Sequence, residues 1–161
     1  MTADQHCLCL GSLVTNFHSL EFVIRVFLNR LPTAAPIGLP FGTDIRTLPV
    51  GTELDVSDIT DYRTLGALIG CYNKEASLRS LGEPIDETLV TIRDAIAHGR
   101  VSYKDEMPMS LLKFSKPANG KVKIDFNQIL DEAWFKQQRR RVHDAIRKVE
   151  ATYNILVNPP S

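Results

Sequence analysis

The stretch Leu89-Val90-Thr91-Ile92-Arg93-Asp94-Ala95-Ile96-Ala97-His98-Gly99-Arg100 decides how the chain is read. Leu89, Ile92 and Ile96 recur at three- and four-residue spacing and form one buried helical face. Arg93, Asp94 and His98 fall off that stripe. Asp94 and His98 are four apart and are surface neighbours, whereas Arg93 and His98, five apart, lie roughly 140° from each other on a helix. Contact between Arg93 and His98 therefore needs a loosened last turn or a second copy of the helix. Gly99 stands where the helix should stop and is expected to take the left-handed conformation that closes many helices. His98 then sits among unpaired carbonyls at the negative end of the dipole, a setting that suits proton transfer. The ordinary reading pairs Arg93 with a neighbouring carboxylate and makes His98 a helix cap.

Composition narrows the class. The chain has 161 residues, with 19 basic side chains against 19 acidic, and its apolar content is that of an ordinary globular protein. One domain spanning 1–161 is expected, with a single core and no need of disulfide or metal staples. The zero net charge argues against whole-surface nucleic-acid binding, so any such role must use a local patch. Cys7, Cys9 and Cys71 are odd in number and lack zinc-ligand spacing, so no metal site is expected and reduced thiols in a cytoplasmic protein are. Met1 to His6 lacks a secretory signal's basic start and apolar core. Glu21, Arg25 and Arg30 interrupt the most apolar run, and no membrane partner is expected.

Arg93-Asp94-Ala95-Ile96-Ala97-His98-Gly99 resembles the signature of the HEPN superfamily (higher eukaryotes and prokaryotes nucleotide-binding domain): an arginine, a polar residue, three further residues and a histidine. Members are small helical bundles, many of them endoribonucleases. The resemblance implies a homodimer in which two copies of the motif form a composite cleft, and a metal-independent endoribonuclease without a cofactor that leaves a 2′,3′-cyclic phosphate. In that reading His98 is general base or acid at the ribose 2′-hydroxyl, Arg93 holds the scissile phosphate, and Asp94 orients the His98 ring. It further implies an RNA substrate such as tRNA, a toxin or phage-defence role, and a separate nucleotidyltransferase-type antitoxin as partner. Asp94 departs from the pattern, since the family often carries asparagine there. The alternative, from another class, is a non-catalytic helical module that binds a protein partner, RNA or nucleotide.

The rest of the chain supplies the frame. Asp4 to Leu31 reads as a first helix, with Leu13, Phe17, Leu20, Ile24 and Phe27 inward and Glu21, Arg25 and Asn29 as a solvated polar row. Residues 32–56, rich in Pro and Gly, form a long loop. Ser57 is expected to cap a second helix to about Leu81, and the third helix is expected to start after Gly82 with Pro84 in its first turn. Residues 110–126 read as a β-hairpin around Asn119-Gly120. Its Lys113, Lys116, Lys121 and Lys123 protect strand edges or, in the functional reading, touch phosphate. A last helix runs from about Leu130 to Val157 and stops at Asn158-Pro159-Pro160. Arg139, Arg140 and Arg141 fan around it, so part of that cluster can face one partner. Arg100, Lys113, Lys121, Arg139 and Arg140 are the candidate RNA contacts; His6, His18 and His143 have no assigned role. Together these elements predict an all-α, up-and-down bundle of four to five helices with a small hairpin insertion.

Overall fold

The computed structural model describes residues 1–40, 42–102 and 109–159. Phe41 of the long loop and Pro160 of the terminal stop lie outside the described residues. In chain order the elements are α1 (Ala3–Asn29), α2 (Leu65–Leu78), α3 (Leu89–His98), β1 (Arg100–Ser102), β2 (Ser110–Phe114), β3 (Ile124–Ile129) and α4 (Glu132–Val157). Internal contacts divide the chain into two compact units. The first comprises Met1–Leu20 with Asp86–Arg147, and the second comprises Glu21–Ile85 with the chain from Lys148 on.

The first unit corrects the all-α expectation, because its three strands form one antiparallel sheet in the order β1-β2-β3. The fold is mixed, with helix predominant. The hairpin of β2 and β3 lies where Asn119-Gly120 placed it. Both turn residues have positive φ, 51° and 71°, and Ala118 and Lys121 exchange backbone hydrogen bonds around them. β3 continues to Ile129, past the expected end at 126, and α4 starts accordingly at Glu132. Asp131 accepts the Trp134 amide at 2.7 Å and so caps it. β1 had no sequence signal: its three residues are all exposed, so no apolar alternation marks them, and the edge of β2 supplies the pairing.

Helix α3 buries Leu89, Ile92 and Ala95 and begins later than expected. Asp86 accepts from the Thr88 amide at 2.9 Å and the Thr88 hydroxyl at 2.7 Å, a local turn that competes with helix over residues just before Leu89. The helix end also differs. Gly99 has φ −76° and ψ 174°, an extended rather than left-handed conformation, and the chain passes directly into β1. Glycine is required there for closeness: a Cβ would lie 2.3 Å from the Ala95 carbonyl oxygen and 2.6 Å from Leu111 Cδ1. Leu111, fully buried in β2, is the sheet residue on which α3 closes.

In the second unit α2 starts at Leu65, capped by Thr64, rather than at Ser57. Arg25 explains the difference. Instead of joining a solvated row, its guanidinium reaches Asp61 Oδ1 at 2.5 Å and donates to the carbonyls of Asp58 at 3.1 Å and Arg63 at 2.9 Å. Those carbonyls are thereby held in a turn that excludes the helix. Ile24, Phe27, Leu68, Ile69 and Tyr72 are buried in this unit, with the Tyr72 hydroxyl 2.8 Å from Thr152 Oγ1.

One expectation about membranes also changes. By length and composition α1 is long and apolar enough to cross a bilayer, because Asp4, Glu21 and Arg25 are its only charged residues and Arg30 falls beyond its end. Of its most apolar window 22% is buried within the protein.

Candidate active site at the end of the third helix

The end of α3, the sheet and the middle of α1 supply the site residues, all from the first unit. His98 projects from the last turn of α3 into a cleft of about 580 Å³. Asp94, Lys113, Ser115, Lys116 and Asp125 line it with His98. Asp94 Oδ1 stands 3.6 Å from His98 Nε2, beyond hydrogen-bond length, while Asp94 Oδ2 pairs with Lys113 Nζ at 2.5 Å. That hydrogen bond from Lys113 holds the Asp94 carboxyl below the usual carboxylate range against the opposing effect of burial, and it raises Lys113 in turn. Both groups are therefore charged at neutral pH.

Arg93 opens onto a different pocket, of about 180 Å³, lined also by Val14, Phe17, His18, Ile96 and Ala97. Within one chain the structure thus separates Arg93 from His98, as their five-residue spacing requires, and sets His18 of α1 beside Arg93. Nothing in the sequence pointed to His18, because its neighbourhood comes from residues of α1 and α3 that line one pocket.

The remaining candidates are scattered. Arg100 stacks over the Phe114 ring with its guanidinium 5.2 Å from the centroid. Lys113 is held by Asp94, so its charge is compensated and it is not a free phosphate contact. Lys121 stands exposed at the hairpin turn. On α4, Arg139 is half-buried, and exposed Arg140 lies 3.9 Å from Asp144. Arg141 is drawn to Asp86 at 2.6 Å; hydrogen bonds from Thr88 and then Arg141 lower the Asp86 carboxyl to about 2. Among the described residues, no three His, Cys, Asp or Glu side chains gather as a metal-ligand set. No family model, curated protein or solved structure matches the chain.

What this arrangement can do chemically is bounded by its groups. An exposed imidazole, with a carboxylate one turn behind it and ammonium groups beside it, can move a proton next to an anion. A guanidinium on the far side of the same helix can hold a phosphoryl group, but in one chain it does so at another pocket.

Proposed function

We propose that the protein is a metal-independent endoribonuclease of HEPN type, acting as a homodimer in the cytoplasm in a toxin or phage-defence setting. The observation that carries the proposal is His98, exposed at the end of α3 on a cleft it shares with Lys113, Ser115 and Lys116, with Asp94 one turn behind. Arg93 and His98 open onto separate pockets of one chain, so a site that uses both takes the arginine of one copy and the histidine of the other.

In that site neutral His98 takes the proton of the ribose 2′-hydroxyl as O2′ attacks the adjacent phosphorus. The bond from phosphorus to the 5′-oxygen breaks as the O2′ bond forms, the departing 5′-oxygen takes a proton from water, and His98 afterwards returns its own proton to solvent. The products are a 2′,3′-cyclic phosphate and a 5′-hydroxyl end. Arg93 holds the non-bridging oxygens and the charge that grows on them. Ribose supplies the nucleophile, so the chemistry calls for no bound metal.

The test is cleavage of tRNA in EDTA by wild type, Arg93→Ala and His98→Ala, each shown to be folded. Wild type should leave cyclic phosphate ends, and each variant should lose about a hundredfold or more. Mixed and re-equilibrated, the two inactive variants should recover about a quarter of wild-type activity, because half the dimers are then mixed and each mixed dimer keeps one intact site. Equal activity in all three proteins, or none in any, would remove the reading in favour of a non-catalytic binding module.

A further inference from the structure

Lys113 carries an unexpected placement. It lies two residues beyond the buried Leu111 in β2 and so shares the side of the sheet on which α3 closes. A lysine on that side needs a partner, and its side chain is only 20% exposed. The partner is Asp94 Oδ2 at 2.5 Å, while the other oxygen of the same carboxylate stands 3.6 Å from His98 Nε2. One carboxylate thus spans an ammonium and an imidazole, and the shorter contact belongs to the ammonium. Asp125 flanks Lys113 from β3. It is the extra residue of a β-bulge, for Lys113 pairs with Phe126 and Phe114 with Ile124.

We infer that Lys113 is a positioning residue for His98: by holding Asp94 it keeps that carboxylate from closing on the imidazole and so sets how readily His98 gives up its proton. The charged groups facing His98 are Asp94 on its own helix, Lys113 on β2, Lys116 just after β2 and Asp125 on β3. Without Lys113, Asp94 would turn its full charge on the ring and stabilise imidazolium, the form that cannot act as a base. The catalytic importance of the role rests on the proposal that His98 transfers a proton; the geometry does not. A purely structural tie between helix and sheet would leave the His98 titration unmoved by loss of Lys113, or moved equally with and without Asp94.

The experiment follows the His98 ring Cε1–H signal by NMR against pH in the RNA-free protein, the signal being assigned by its loss in His98→Ala. Lys113→Met should raise the His98 midpoint by roughly half a pH unit, and Lys113→Arg should restore the wild-type value. In an Asp94→Asn background the same Lys113→Met change should produce less than half that rise, because Lys113 acts through the carboxylate. Lys113→Gln must show the same rise and serves if the Met variant does not fold. No rise, or an equal rise with and without Asp94, overturns the inference. The ribonuclease reading is tested separately: if wild type cleaves, the acidic limb of its rate profile must move to higher pH in Lys113→Met together with His98. If wild type does not cleave, that reading falls while the titration result stands on its own.

Discussion

His6 is the buried histidine, 2% exposed, with its ring edge-on to Phe135 at 5.1 Å between centroids. Neither ring nitrogen has a hydrogen-bond partner among the described residues. Burial first, and repulsion from the N-terminal ammonium second, lower its proton affinity below the usual value of 6.5. The unfolded chain therefore binds a proton that the folded chain refuses. Stability is whole above about pH 6.5 and is lost as pH falls from there toward the lowered folded value. Replacing His6 by leucine removes both the unpaired nitrogens and the titration. We expect His6→Leu to gain roughly 1 kcal/mol at pH 5 and to flatten the dependence of the urea midpoint on pH between 7 and 5. An unchanged pH dependence in His6→Leu would place the titrating group elsewhere. Sequence left this residue without a role because a lone histidine near an N-terminus carries no periodic signal; its burial depends on Phe135, far along the chain.

At the scale of elements, the contact between α3 and β2 carries both the fold correction and the site. At Gly99 the two elements leave no room for a Cβ. A methyl group there would meet the Ala95 carbonyl oxygen at 2.3 Å, Leu111 Cδ1 at 2.6 Å and the Leu112 carbonyl oxygen at 3.1 Å, two of these being backbone atoms that cannot step aside. Gly99→Ala should therefore lower stability by about 2 kcal/mol and loosen the Lys113–Asp94 pair, read as a fall in denaturation midpoint and a change in the His98 titration. Gly11 in α1 is the contrast, since a Cβ there meets nothing within 4 Å. Gly11→Ala should raise stability by about 0.5–1 kcal/mol through helix propensity alone. Had Gly99 been a left-handed cap, its replacement would have been a problem of backbone angle. It is a problem of space, and only the sheet strand opposite creates it.

For the whole molecule, balanced charge removes net self-repulsion near neutrality, and the acid limit is set by individual carboxylates. Asp44 and Asp86 are lowered to about 2, Asp44 by the hydrogen bond from Arg46 and Asp86 by those from Thr88 and Arg141. Asp94 is lowered by Lys113, and Asp61 by Arg25 and Arg63 against an opposing effect of burial. Each contributes stability that is present above the unfolded value near 3.8 and is lost as pH falls through the folded one. With His6 replaced, the melting temperature should hold from pH 8 to 5 and fall steeply below pH 4; a steady decline across the neutral range would contradict this. Because the Asp86–Arg141 pair is partly exposed, Asp86→Asn should account for less than about 1 kcal/mol of the acid loss.

What could be read along the chain was whatever repeats locally. The stripe Leu13, Phe17, Leu20, Ile24 and Phe27 is buried as its spacing demands, and Asn119-Gly120 closes a hairpin because two adjacent residues suffice to make that turn. The separation of Arg93 from His98 likewise follows from the pitch of a single helix. Strand β1, the late start of α2, the extended Gly99, the His18 beside Arg93 and the hold of Lys113 on Asp94 each need a partner from a distant part of the chain. Periodicity reports which face of an element is apolar, whereas these features depend on which atoms meet that face. Only packing brings those atoms together.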